Sequence, residues 1–389
     1  MDVQFIHDPH QNMAFSQPLW EDCDLVLDPG AIFSPQSYWE EKATDVGWRK
    51  PDWWKDVSER GRKVVLRNPN LALRAIVNAD AGRSFGMLKF AVGSLHLVNL
   101  LSQFDFLILI GVGPVYGKLA GVPFIAIPLG QDITWLPFQD DVEGRLQKSA
   151  YAQARRILVY DWRYIDSLRT LNLSNRWTYF PFPIDAEKYA NRDSRDKNEA
   201  LDCLRARVSD KFVFFMPSAQ EFDLKGTDKA LRAFLKLSHE RDDVVLVSPS
   251  WGQDHARARQ IVKESNGENS VIFLPYVVSR PLLNKFYRAS NVVVDQFVLG
   301  SYGFSVLEAM ACERAVIGHI DSNRYRPYLR QLPPNLQAHT EHEIYDKMRW
   351  AVENPDALMT IARESRKWVT DQHSLASVQM LQEAICEEA

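Results

Sequence analysis

Residues 300–311, GSYGFSVLEAMA, form the group in this chain best suited to hold a charged ligand. They lie between the apolar run NVVVDQFVL and the segment CERAVIGHI, a pattern that reads as strand, glycine-containing turn, helix and strand. Gly303 stands where the turn enters the helix. A small residue there lets the backbone N–H groups around Gly303, Phe304 and Ser305 approach an anion, and the helix dipole adds roughly half a positive charge at the same point. Glu308 lies about one and a half turns further on. It is placed to accept hydrogen bonds from a ribose diol while phosphates rest on the helix tip. The plainer alternative is a turn of the kind found in every α/β protein, with a solvated glutamate behind it.

A second group lies upstream in MPSAQEFDLKGTDKALRAF, residues 216–234. A strand ends at Ser218, and Lys225–Gly226–Thr227–Asp228 then opens a helix with Thr227 as the expected N-cap. Lys225 beside that helix start is placed to pair with a diphosphate. A surface lysine next to a helix is the alternative. SPSWGQ, residues 248–253, follows another strand, and loops after strand ends line the ligand crevice of an open parallel sheet.

Around these groups the apolar runs alternate with helical segments. FDFLILIGV (104–112), VPFIAIPLG (122–130) and RRILVY (155–160) form one series. KFVFFMPSA (211–219), DVVLVSPS (243–250), SVIFLP (270–275) and NVVVDQFV (291–298) form a second. Strands alternating with helices predict parallel βαβ units in an α/β fold. VQFIHD (3–8) and DLVLDPG (24–30) are the candidate strands of the less regular opening hundred residues. GVGPVYG (111–117) lacks the spacing of a dinucleotide loop and reads as a turn. The segment 178–200 loses its apolar period, with Pro181 and Pro183 followed by a charged run, which marks a linker.

The 389 residues suit two domains, and 46% hydrophobic with 25% charged residues is the balance of a globular enzyme. A net charge of −4 gives the whole molecule no nucleic-acid footprint. The four cysteines, Cys23, Cys203, Cys312 and Cys386, show no metal spacing and read as reduced thiols of a cytoplasmic protein. No metal site is expected. MDVQFIHDPHQ lacks the basic start and apolar core of a signal peptide, and no stretch reaches the roughly 20 apolar residues of a spanning helix. Segment 48–74 carries eight Lys or Arg against three acids, with Trp48, Trp53 and Trp54 among them. Such a segment can dock on anionic lipid at the inner membrane face, hold an anionic acceptor, or form a packed aromatic cluster with a solvated basic side.

The motif at 300–311 resembles the donor-binding motif of the retaining GT-B glycosyltransferases of the Glu-x7-Glu type, the glycosyl transferases group 1 that include glycogen- and sucrose-synthase-like enzymes. Tyr302, Gly303, Glu308, Ala309, Met310 and Ala311 match it. The likeness spans about 104–380 and is most specific at 211–319. It implies two Rossmann-like domains facing each other across a cleft: residues 1–184 on the acceptor side, a linker at 185–200, and 201–370 binding the nucleotide sugar. A helix at 371–389 would return to the first domain. It also implies that Lys225 binds the donor phosphates, with Ser218, Gly226, Gly303, Phe304, Ser305 and Glu308 around the donor. Tyr276 would lie where the family holds the base, either stacking on it or buried as core.

Two departures stand out. Ser-Ala-Gln-Glu at 218–221 offers no arginine where the family has one, and Gly300 occupies the position of the first glutamate, which contacts the donor sugar. Asp295 and Gln296 are candidates to take over hydroxyl recognition. LGQDI (129–133) resembles the family segment that faces the donor, so Asp132 would bind an acceptor hydroxyl or assist proton transfer, or else cap the next helix. The partners implied are a nucleotide diphosphate sugar, which serves as substrate with no separate cofactor, and a glycan or lipid-linked glycan acceptor. A sugar-nucleotide epimerase of the same fold and a non-catalytic sugar-nucleotide-binding subunit are the alternatives.

Overall fold

A computed structural model describes residues 3–6, 26–27, 69–78, 95–189, 208, 210–274 and 280–379. It divides into two compact units, Met1–Phe182 with Gln379–Ala389 and Pro183–Val378. Each is an α/β unit around one parallel sheet.

In the first unit the two early candidates become β1 (Val3–Ile6) and β2 (Val26–Leu27). Helices α1 (Pro69–Asn78) and α2 (Leu95–Leu101) precede β3 (Phe106–Ile110). Then come α3 (Pro114–Ala120), β4 (Phe124–Ile127), α4 (Gln131–Thr134), α5 (Val142–Gln153), β5 (Arg156–Val159), α6 (Trp162–Thr170) and β6 (Trp177–Tyr179). The sheet order is β2-β1-β3-β4-β5-β6, and all pairs are parallel. Every residue of β3 and β4 is buried, which is why these strands read as unbroken apolar runs rather than alternating ones.

The second unit contains β7 (Phe212–Phe215), α7 (Phe222–Lys225), α8 (Thr227–Glu240), β8 (Val244–Pro249), α9 (His255–Glu264) and β9 (Val271–Leu274). It continues through α10 (Arg280–Ala289), β10 (Val292–Val294), α11 (Phe304–Ala311), β11 (Ala315–Gly318), α12 (Ser322–Tyr325), β12 (Leu336–Gln337), α13 (Glu341–Glu353) and α14 (Pro355–His373). The sheet order is β12-β11-β10-β7-β8-β9, again parallel throughout. Read from the β9 edge, the third, second and first strands are followed by the fourth, fifth and sixth. The order therefore reverses between β7 and β10, and the carboxyl ends at such a reversal leave a crevice.

Apolar stripes hold the helices on this sheet. Phe234 of α8 meets Phe214 of β7 edge-on, and both lie in one buried cluster with Val292 of β10, Ile317 of β11 and Met348 of α13. A capping box at Thr340 and Glu343 starts α13. Cys312, at the end of α11, is fully buried, and burial pushes its thiol up to about 12. Ile184 donates its N–H to the His373 carbonyl at 2.7 Å and pairs in parallel with Ser374. The expected returning helix lies, beyond Gln379, outside the described residues. Among those residues no helix is long and apolar enough to cross a membrane.

Candidate functional site

The carboxyl ends of β7 and β10 bring together side chains far apart in sequence. Ser218, past the end of β7, donates its hydroxyl to Oδ1 of Asp295, past the end of β10, and both are buried. The Phe297 N–H donates to the Lys225 carbonyl at 2.7 Å, which ties α7 to the same turn. Gln296 donates its side-chain amide to the Ser301 carbonyl, and its own carbonyl accepts from the His319 N–H at 3.0 Å. Ser218, Lys225, Asp295 and Gln296 thus converge at the reversal of strand order.

Lys225 ends α7 rather than opening α8, and it is half-buried. The N-cap of α8 is Gly226, with φ 69°, and not Thr227 as expected. The Thr227 hydroxyl instead accepts from the Glu221 N–H at 3.2 Å, because the chain has already turned helical at Phe222 and needs a left-handed residue to restart the axis.

Gly303 is the N-cap of α11, with extended backbone, and Phe304 and Ser305 open the helix. A Cβ built on Gly303 meets nothing within 4 Å. The tip of α11 therefore has room for an anion at the end where the dipole is positive. Glu308, further along α11, is buried, with Oε1 accepting from the Tyr189 hydroxyl at 2.9 Å and Oε2 from the Tyr287 hydroxyl at 3.1 Å. Burial, followed by the nearby Glu308 charge, raises the Tyr287 phenol well above its ordinary range, so Tyr287 stays a proton donor to that carboxylate.

Behind the crevice, Gln220 occupies the region where the arginine is missing. It is fully buried; its N–H donates to the Trp251 carbonyl and its carbonyl accepts from the Asp254 N–H, each at 2.9 Å. Its side-chain amide donates to Ser248 Oγ at 2.9 Å. Gly252 makes this approach possible, with φ +107° and an added Cβ only 2.4 Å from the Gln220 nitrogen. Asp254 accepts from the Phe222 N–H at 2.9 Å, and that bond above all holds its carboxyl below the usual range. Trp251 stays 42% exposed, the most open aromatic among the described residues of this edge.

The first unit has its own buried carboxylate. Asp132 Oδ1 accepts from the N–H groups of Leu129 at 2.9 Å and Gly130 at 2.7 Å, and Oδ2 accepts from the Tyr151 hydroxyl at 2.5 Å. Burial raises its carboxyl despite these three bonds. The residue lies inside α4, whose N-cap is Gly130, so it closes the preceding loop rather than capping the helix by the usual geometry. The turn 111–113 is held by the Gln147 side-chain amide, which donates to the Gly111 carbonyl at 2.9 Å.

Tyr276 lies outside the described residues, as do nearly all of 48–74 and the stretch 190–200. Residues missed from sequence are Gln220, Tyr189, Tyr287, Tyr151, His319 and His339. Tyr189 and Glu308 are 119 positions apart, and no local pattern links them.

The model of the family described as glycosyl transferases group 1 matches residues 201–368, less than half of the chain. No curated protein matches the sequence. Among solved structures, Anabaena Alr3699/HepE in complex with UDP and glucose is 14% identical, with a TM-score of 0.65 over 77% of this chain and 83% of that one. Sucrose-phosphate synthase (tll1590) from Thermosynechococcus elongatus is 12% identical, with a TM-score of 0.59 over 76% and 78%. The UDP co-structure of S. aureus MnaA is 14% identical, with a TM-score of 0.56 over 99% and 96%. At such identities the likeness is one of fold: the chain has the α/β GT-B fold of two Rossmann-like parallel-sheet domains, and residues 201–368 are similar to the glycosyl transferases group 1.

Proposed function

We propose that the protein is a glycosyltransferase that takes a sugar from a nucleotide diphosphate donor and passes it, with retention at the anomeric carbon, to a glycan or lipid-linked glycan. The observation that carries this reading is the open helix tip at Gly303, with Lys225 tied to the same turn, at the reversal point of a sheet whose sequence matches the group 1 family. The solved structures of similar fold that hold UDP support the donor class.

The chemistry follows from charge. The bond between C1 of the sugar and the diphosphate oxygen breaks, and its electron pair stays on that oxygen. Lys225 and the N–H groups at the head of α11 stabilise the growing negative charge. The acceptor hydroxyl bonds to C1 from the face the phosphate leaves, and its proton passes to the departing phosphate. No protein nucleophile and no metal is needed in this scheme. Glu308, fixed by two tyrosines, supports the ribose side of the donor, and Tyr276 the base. Acceptor recognition is assigned to residues 1–184, where the basic segment 48–74 would place the enzyme against the inner membrane face.

A panel of UDP-, GDP- and ADP-sugars, scored by the rise in melting temperature, identifies the donor, since a ligand that binds only the native state stabilises it. Incubation with that donor and candidate glycans, followed by proton NMR of the product, then reads the anomeric configuration. A product of opposite configuration rules out the retaining scheme. Absence of stabilisation by every nucleotide sugar overturns the donor assignment itself.

A further inference from the structure

Gly300 has φ +65°, in the left-handed region that side chains rarely adopt. A Cβ there would stand 3.2 Å from Asp321 Cβ and 3.3 Å from Nε2 of His319. The space that a side chain at this turn would enter is already taken by an imidazole.

His319 is the first residue past the end of β11. Its main chain is fixed by the bond from its N–H to the Gln296 carbonyl, and Gln296 also holds Ser301 two residues before Gly303. Its ring is braced by His339, with centroids 4.5 Å apart and planes inclined at 50°. His339 is itself fixed by its Nδ1, which donates to the Phe297 carbonyl at 2.8 Å, so its proton position is set. His319 is half-buried, and neither of its ring nitrogens has a hydrogen-bond partner among the described residues.

A braced imidazole whose nitrogens are not used by the described residues suits a hydroxyl group. In its neutral form it offers one N–H donor and one bare acceptor, and a sugar hydroxyl both gives and takes a hydrogen bond. Burial, followed by the charge of His339, lowers its pKa and favours that neutral form. We infer that His319 is the side chain of the second unit that binds a hydroxyl of the donor's sugar, in the place closed to any residue at position 300. This rests on the nucleotide-sugar reading given above. It makes His319 a specificity residue: it acts on the sugar and leaves the nucleoside diphosphate alone.

The experiment compares the best-binding sugar nucleotide of the panel with its own nucleoside diphosphate, by titration calorimetry, in wild type, His319→Ala and His319→Gln. His319→Ala should bind the nucleoside diphosphate within ~2-fold of wild type and lose ~10-fold in affinity for the sugar nucleotide, the scale of one lost hydrogen bond. His319→Gln, whose amide reaches the Nε2 position, should recover part of the loss. The KM for acceptor should stay unchanged. Equal losses for both ligands, or no loss for either, overturn the assignment while leaving the donor reading intact. If wild type binds no sugar nucleotide, both fall together.

Discussion

Asp132 shows how one buried carboxylate can serve structure or catalysis, and how to separate the two. Three donors converge on it, and burial favours its protonated form. Asp132→Asn keeps an acceptor for Leu129 and Gly130 and turns an N–H toward Tyr151, so its melting temperature should stay near wild type. Asp132→Ala strands two amides and a hydroxyl; at about 1–3 kcal/mol each it should lose about 3 kcal/mol or more in urea unfolding. Turnover by Asp132→Asn decides the remaining question. Wild-type rates make the residue a loop clamp, and a large fall without loss of stability makes it a proton carrier. At Lys225 the expected outcome is simpler. Lys225→Ala should lower turnover at least ~100-fold, the scale of removing one charge-stabilising donor. Unchanged turnover would falsify its phosphate role. Glu308→Gln should weaken nucleotide affinity, checked by calorimetry; a change confined to acceptor KM would move the residue out of the donor site.

Among elements, α11 and the β8–α9 loop give opposite forecasts for the same substitution. Gly303 has extended backbone and open space, so Gly303→Ala should fold normally, within about 1 kcal/mol of wild type. The added methyl would stand where phosphates rest, so nucleotide affinity should drop ~10-fold or more. Gly252→Ala meets Gln220 backbone and a φ of +107°, so it should destabilise by about 1–3 kcal/mol or more, measured by urea unfolding. The elements themselves were largely legible. Helix α8 starts within one residue of the expected N-cap at Thr227, because its apolar period is clean and its ends are polar. The buried strands are as clear, since parallel sheets need unbroken apolar runs. β6 overlaps the start of the expected linker at 178, because it is three half-buried residues at a sheet edge, too short for a pattern. Loops after strand ends are where a ligand is expected in such a sheet, and Ser218, Lys225, Asp295 and Gln296 do meet past the ends of β7 and β10. Gln220, Tyr189 and His319 stayed hidden because their roles come from partners that only the fold supplies.

For the molecule as a whole, pH should tilt stability in a direction that can be worked out. Burial, with the charge of Arg259 beside one ring and His339 beside the other, depresses the imidazoles of His255 and His319. Lys229 adds to this at His319, while Asp321 and Glu343 oppose it. The unfolded chain takes up protons near pH 6.5 that the folded chain resists. Their contribution is therefore whole above about pH 6.5 and is lost as pH falls below it. Asp132 runs the other way, because its folded form favours the proton and its burial costs more as pH rises. Melting temperatures taken from about pH 7.5 down to about 5.5 should fall less steeply in His319→Gln than in wild type. Identical slopes would mean that the ring is no more resistant to protonation in the fold than out of it.

The buried thiol of Cys312 supplies a clock for such events. It lies at the far end of the helix whose tip is the candidate phosphate seat, and it is sealed from solvent and held in its unreactive form. In a chain whose other three cysteines are replaced by serine, a thiol-modifying reagent can reach it only when this part of the second unit opens. The labelling rate then reports how often that opening occurs. A nucleotide seated at the tip should slow it in proportion to its occupancy, which would let ligand engagement be followed without any turnover assay.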